Sequence, residues 1–210
     1  ANELMLNKAG SISVMDIYTG ELIALHSSPT FDPNLFLYGI NSTEWQKIIK
    51  DPLKPLMNKS IAGLYSPGST IKPIVALSAL ENDIISTKFK VHCTGKTEFY
   101  EQTYHCWKKK GHKSVNLREA IKQSCDTYFY EIARLLGVDR LNETARKFGL
   151  GEKVFDNIFF EEKKGVVPST KWKKNVIGES WYLGETLING IGQGYIQTTP
   201  LQLCLMTAQL

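Results

Sequence analysis

The chain has 210 residues, 42% hydrophobic and 22% charged, with a formal net charge of +4. That composition is globular and leaves room for one large domain or two small ones. It contains no apolar run of membrane-spanning length and no signal-peptide pattern, so a cytosolic protein or a soluble piece of a larger one is expected, and so slight a basic excess (25 Lys and Arg against 21 Asp and Glu) gives no reason to expect a nucleic-acid partner.

Taken in chain order, Ser11 to His26 reads as a β-hairpin. Ile12, Val14 and Ile17 lie on one arm, Leu22, Ile23 and Leu25 on the other, and Tyr18-Thr-Gly20-Glu21 forms the turn. Residues 27–68 are punctuated by five prolines and predict loops, broken by a short helix over Ser42 to Ile49 with Ser42 as its cap. Ser69 to Glu81 predicts a helix apolar on nearly every face, with Pro73 in its first turn, where a missing N–H costs little. Lys88 to Lys113 has no sustained period. Helices are predicted again over Asn116 to Gln123, over Asp126 to Leu136 with Gly137 as the stop, from Asp139 as cap to Phe148, and from Thr199-Pro200 onward. The lysine clusters at Lys108–Lys110 and Lys171–Lys174 read as solvated loops. A hairpin followed by many helices is the pattern of a sheet covered by helices, an α+β fold.

Ser69-Thr-Ile-Lys72 follows Ser66-Pro-Gly68 directly. On a helix the i, i+3 spacing stacks hydroxyl and amine on one face, where a neutral amine can take the serine proton and make a weak nucleophile reactive. Ser and Lys three apart are common on helix surfaces, so the spacing alone decides little. Here the lysine is flanked by Ile71 and Ile74 in an apolar helix, where it needs a polar partner and where desolvation favours its neutral form. Ser69 near a helix N-terminus would also find N–H groups for a developing oxyanion. Ser124-Cys-Asp126 lies between two predicted helices. Ser124 or Asp126 can serve as a helix cap; as a polar pair facing the nucleophile, Ser124 would relay a proton and Asp126 would steer Lys72.

Three cysteines and a histidine share one window, as Cys93, Cys106, His112 and Cys125. Three thiolates and an imidazole suit a tetrahedral structural zinc, which would brace Ser124 and Asp126 from behind without taking part in the chemistry. A disulfide and free thiols stay open beside it, with His92 and His105 as rival ligands. Cys204 falls on the apolar face of the last helix and reads as core.

Asn58 to Pro73 resembles the active-site segment of class B penicillin-binding proteins, S-x-x-K being the signature shared by penicillin-binding proteins and class A β-lactamases. Ser124-Cys-Asp126 with Thr-Tyr-Phe-Tyr130 resembles their second motif, with the Asp of the elongation-specific branch. Gly190-Ile-Gly-Gln-Gly-Tyr195 before Thr199-Pro-Leu-Gln202 resembles the glycine-rich stretch ahead of their third, and Asp32-Pro-Asn-Leu35 and Trp107-Lys-Lys109 with Gly111-His112 also fit. The resemblance implies the penicillin-binding/serine β-lactamase-like transpeptidase fold, an antiparallel sheet with helices on both faces, over residues 1–210. That domain would comprise a hairpin at 11–26, an active-site helix from 69, a metal-braced loop at 88–125 and a helical remainder at 126–210. It further implies a serine-type peptidoglycan transpeptidase with Ser69, Lys72, Ser124 and Asp126 as its catalytic set and no cofactor for catalysis. The implied ligands are stem peptides ending in D-Ala-D-Ala, and β-lactams. A membrane glycan polymerase of the elongation machinery is the implied partner, and the periplasmic face of the inner membrane the implied location. The family's third motif, Lys-Thr-Gly on a strand, is expected beyond residue 210, so the domain reads as incomplete at its C-terminus; Thr94-Gly-Lys-Thr97 has the wrong order and place to replace it. A β-lactam-sensing domain, a serine β-lactamase and a non-catalytic scaffold remain open beside the enzyme.

Overall fold

The computed structural model describes residues 1–155 and 158–210. Strands β1 (Gly10–Met15) and β2 (Leu22–Ser28) pair antiparallel, with a bulge at Val14/Met15. Asp16 shapes their turn, its carboxylate accepting the N–H groups of Tyr18 and Thr19 at 2.8 and 2.9 Å. Helix α1 (Ser42–Lys50) is capped by Asn41, one residue before the expected Ser42, because the Asn41 amide oxygen reaches the Glu44 N–H at 2.9 Å. A single turn, α2 (Lys59–Ala62), precedes a 3-10 turn at Gly68–Ile71 that runs into α3 (Lys72–Glu81). The window without period folds into four four-residue strands, β3 (Lys90–Cys93), β4 (Lys96–Phe99), β5 (Gln102–His105) and β6 (Lys113–Asn116). The β4–β5 hairpin lies, in sequence, inside the β3–β6 pair. Helices α4 (Leu117–Lys122), α5 (Asp126–Leu136), α6 (Val138–Lys147), α7 (Thr170–Val176), α8 (Leu183–Asn189) and α9 (Pro200–Gln209) complete the chain. Helices and antiparallel pairs together make the α+β class. Of the predicted helical remainder, Asp156 and Asn157 lie outside the described residues.

The chain forms two compact units. The first comprises Ala1–Tyr65, Gly149–Gly165 and Thr198–Leu210. Helices α2 and α9 pack on its hairpin, burying Ile61, Leu201 and Met206. Thr199 and Gln202 close a reciprocal capping box at the start of α9, and the Gln202 amide also donates to the Glu152 and Lys164 carbonyls. Cys204 is half-buried, its thiol turned to the Ser13 carbonyl.

The second unit comprises Ser66–Phe148 and Val166–Gln197. Helix α5 is its axis, with α3, α4, α6, α8 and β3 against it. Tyr128, Phe129 and Ile132 of α5 are fully buried, as are Ile74, Val75 and Ala79 of α3. A buried Thr144–Ser78 hydrogen bond of 2.9 Å joins α6 to α3. Gly190 permits the close approach of α8, since a β-carbon there would lie 2.4 Å from that of Ala133. Two expectations are corrected. Asp139 does not cap α6; it lies in the first turn and accepts the Thr170 N–H and hydroxyl at 2.9 and 2.8 Å. The second lysine cluster is not wholly solvated, because Lys173 is 1% exposed, paired with Glu185 at 2.5 Å and seated over the Tyr182 ring.

Candidate active site

Ser69 is exposed in the 3-10 turn ahead of α3. Two glycines shape the approach to it. Gly68 has φ +58°, and its N–H donates to the Gly192 carbonyl at 2.9 Å. Gly192 has φ +75°, and a β-carbon on it would lie 2.1 Å from the Gly68 carbonyl oxygen, so a side chain at either position strains or collides with the other strand.

Lys72, 2% exposed, spends its three N–H donors on Asp126 Oδ1 at 2.7 Å, Ser124 Oγ at 2.8 Å and the Ser124 carbonyl at 3.0 Å. The ring of Phe129 lies 5.3 Å from Nζ. Ser124 Oγ in turn donates to Ser69 Oγ at 2.9 Å. All four candidate residues therefore meet, but the direct Ser69–Lys72 contact expected from the i, i+3 spacing is not among these bonds. Ser69 precedes the first α-helical residue, and the Ser124 hydroxyl bridges it to the amine.

The end of α4 explains how Ser124 reaches that position. The Cys125 N–H returns to the Ala120 carbonyl at 2.9 Å and the Ser124 N–H to Ile121 at 3.1 Å, a Schellman ending whose left-handed position normally holds glycine. Ser124 holds it at φ +51°. A β-carbon in that conformation costs on the order of 1 kcal/mol or more, which the chain tolerates where the hydroxyl is needed. Neither Ser124 nor Asp126 caps α5; Cys125 occupies that place without a side-chain bond.

Cys125 faces away from the nucleophile, with Cys93, Cys106 and His112. Their ligand atoms all lie within 4.8 Å of one another and all four residues are buried, whereas His92 and His105 are exposed. No disulfide joins any of the four cysteines. His112 Nδ1 stands 3.6 Å from Cys93 Sγ and 3.5 Å from Cys106 Sγ. Zinc bonds of about 2.3 Å to sulfur and 2.0–2.1 Å to nitrogen give a tetrahedral S···N edge of about 3.6 Å, which these two distances match. Cys106 is held well below the ordinary thiol range, chiefly by the hydrogen bond from Cys125 and also by main-chain N–H groups, against the effect of burial. That same bond, with burial, pushes Cys125 up.

A cavity of about 840 Å³ opens between the β4–β5 hairpin and α8, lined by Phe99, Tyr100, Tyr104, Tyr182 and Leu187; none of the four candidate catalytic side chains lines it.

The Penicillin binding protein transpeptidase domain model matches residues 10–210. The chain belongs to the penicillin-binding transpeptidase family. Among characterised members, it is 39% identical over 202 residues to the peptidoglycan D,D-transpeptidase MrdA of Escherichia coli K12, covering 95% of this chain and 32% of that one. It superposes on Pseudomonas aeruginosa PBP2, solved in complex with WCK 5153, with TM-score 0.93 and 41% identity, over 99% of this chain and 45% of that. Helicobacter pylori PBP2, solved in complex with MreC, gives TM-score 0.93 and 38% identity, over 99% of this chain and 39% of that. The chain thus spans about a third of the length of the curated transpeptidases it matches.

Two features of this penicillin-binding fold escape a reading of its sequence. One is the Gly68–Gly192 clamp; the Gly190–Tyr195 stretch was the available signal. The other is Trp107. Its main-chain N–H donates to Asp126 Oδ2 at 2.9 Å, and its indole N–H reaches the Gln123 and Ser124 carbonyls at 3.1 Å each.

Proposed function

We propose that the protein containing this chain is a serine-type peptidoglycan D,D-transpeptidase of the cell-wall elongation machinery. The observation that carries this reading is the unbroken chain Ser69 Oγ–Ser124 Oγ–Lys72 Nζ–Asp126 Oδ1, with links of 2.9, 2.8 and 2.7 Å. Ser69 Oγ attacks the penultimate carbonyl of a stem peptide ending in D-Ala-D-Ala. Its proton passes through the Ser124 hydroxyl to Lys72 once the ammonium of the resting Lys72–Asp126 ion pair has given up one proton to solvent; both serine O–H groups turn over for this, since a hydroxyl donates and accepts. The proton then returns along that path to the amine of the departing D-alanine. A neighbouring stem amine cleaves the acyl-enzyme, forming the cross-link and freeing Ser69. Asp126 fixes Lys72, and a β-lactam ring opened by Ser69 would stop at the acyl stage.

A structural zinc on Cys93, Cys106, His112 and Cys125 belongs to the same reading. With four protein ligands it leaves no position for water and serves to hold the second motif rather than to react. The family membership supports a location on the periplasmic face of the inner membrane and a membrane glycan polymerase as partner; the Helicobacter relative was solved with a different partner, MreC.

The test is labelling of the full-length protein by fluorescent penicillin. Ser69→Ala is expected to abolish it, and retained labelling would overturn the assignment. Formation of cross-linked product from stem peptide distinguishes a transpeptidase from a β-lactam sensor, and slow nitrocefin turnover distinguishes it from a β-lactamase.

A further inference from the structure

We propose that Trp107 is a positioning residue for acylation, holding Ser124 in the conformation that bridges Ser69 and Lys72. The residue is 64% exposed, so it adds little to the core. What it does offer is donors. The end of α4 leaves the Gln123 and Ser124 carbonyls outside the helix, and the indole N–H is within 3.1 Å of both. Those carbonyls flank the left-handed Ser124, whose conformation costs energy unless its surroundings impose it. The Ser124 carbonyl accepts from Lys72 at 3.0 Å and from the Trp107 indole at 3.1 Å. The Trp107 main-chain N–H also fixes the Asp126 oxygen that Lys72 leaves free. Trp107 itself is set by its neighbour Cys106 and by an edge contact with His112, ring centroids 5.4 Å apart, so it conveys the geometry of the cysteine–histidine cluster to the nucleophile's partner.

The inference rests on the transpeptidase reading, and saturation kinetics of penicillin acylation in the full-length protein separate the two. Trp107→Phe keeps the ring and the main-chain N–H and removes only the indole donor. The acylation rate constant is expected to fall about tenfold while the dissociation constant of the non-covalent complex stays within about twofold. Bound zinc and thermal midpoint are expected to match the parent. An unchanged acylation rate constant overturns the inference alone. A fall accompanied by lost metal or a lowered midpoint also overturns it, since Trp107 would then be merely structural. A parent protein that is not acylated at Ser69 overturns the transpeptidase reading and this inference with it.

Discussion

Lys72 and Asp126 form a close ion pair of 2.7 Å, with the lysine 2% and the aspartate 13% exposed. Removing one partner of a buried pair leaves an uncompensated charge, typically at a cost of about 3–5 kcal/mol. Asp126→Ala is therefore expected to lower the thermal midpoint and slow acylation together. Asp126→Asn is expected to be milder but not neutral: its amide oxygen still accepts from Lys72, while the charge is lost and its NH2 cannot accept the Trp107 N–H. Differential scanning calorimetry beside penicillin labelling checks both, and equal behaviour of the two variants would refute the account.

The Gly68–Gly192 contact makes a sharper demand. Gly192→Ala puts a β-carbon into a left-handed position 2.1 Å from the Gly68 carbonyl oxygen, one residue before Ser69. A displacement of about 1 Å at a reacting atom can cost about a hundredfold. Acylation is expected to fall on that scale, as measured by the rate of penicillin labelling.

Elemental analysis of the full-length protein is expected to give about one zinc per chain, the stoichiometry of a four-ligand site. Cys125→Ser is expected to release the metal and lower the thermal midpoint, since the bound ion contributes to folding. Metal-free parent protein carrying a Cys93–Cys106 or Cys106–Cys125 bridge would reject the zinc assignment.

Alkaline pH should unfold the domain in part through Tyr128. Burial raises its phenol to about 12 from an ordinary value of 10.0. The sign follows from the protons bound. Above pH 10 the unfolded chain loses this proton while the folded state keeps it, so stability falls as pH rises. The full contribution is present below about pH 10, and up to roughly 2–3 kcal/mol is lost by about pH 12. Tyr128→Phe is expected to flatten that part of the denaturation profile, measured by urea titration across the window.

Ile74 is fully buried in α3, the helix that begins at Lys72. Ile74→Ala is expected to destabilise by about 2–5 kcal/mol through lost burial and the cavity left behind. A loss under about 1 kcal/mol in chemical denaturation would mean that the site collapses around the gap.

What the sequence discloses follows from how local each determinant is. Helix α5 carries its own apolar face and its Gly137 stop, and α9 its own Thr199-Pro200 start, so both are legible. The candidate catalytic residues are legible because a lysine three residues after a serine falls in an apolar helix, where it needs polar partners, and Ser124-Cys-Asp126 offers them. The short strands β3 to β6 are not, because four residues carry too little pattern and β3 finds its partner β6 only across an intervening hairpin. Asp139 and Lys173 were misjudged for a related reason. Each looks like an ordinary cap or surface charge until Thr170 or Glu185, supplied from elsewhere in the chain, takes it up. The bridging place of Ser124 likewise depends on a left-handed turn at a non-glycine residue, which no propensity would suggest.

The glycine clamp also bears on the order of events at the ribosome. Gly192 is translated about 120 residues after Gly68. At roughly 5–20 residues per second that is a delay on the order of ten seconds. A nascent chain therefore carries its serine long before it carries the segment that shapes the turn around it.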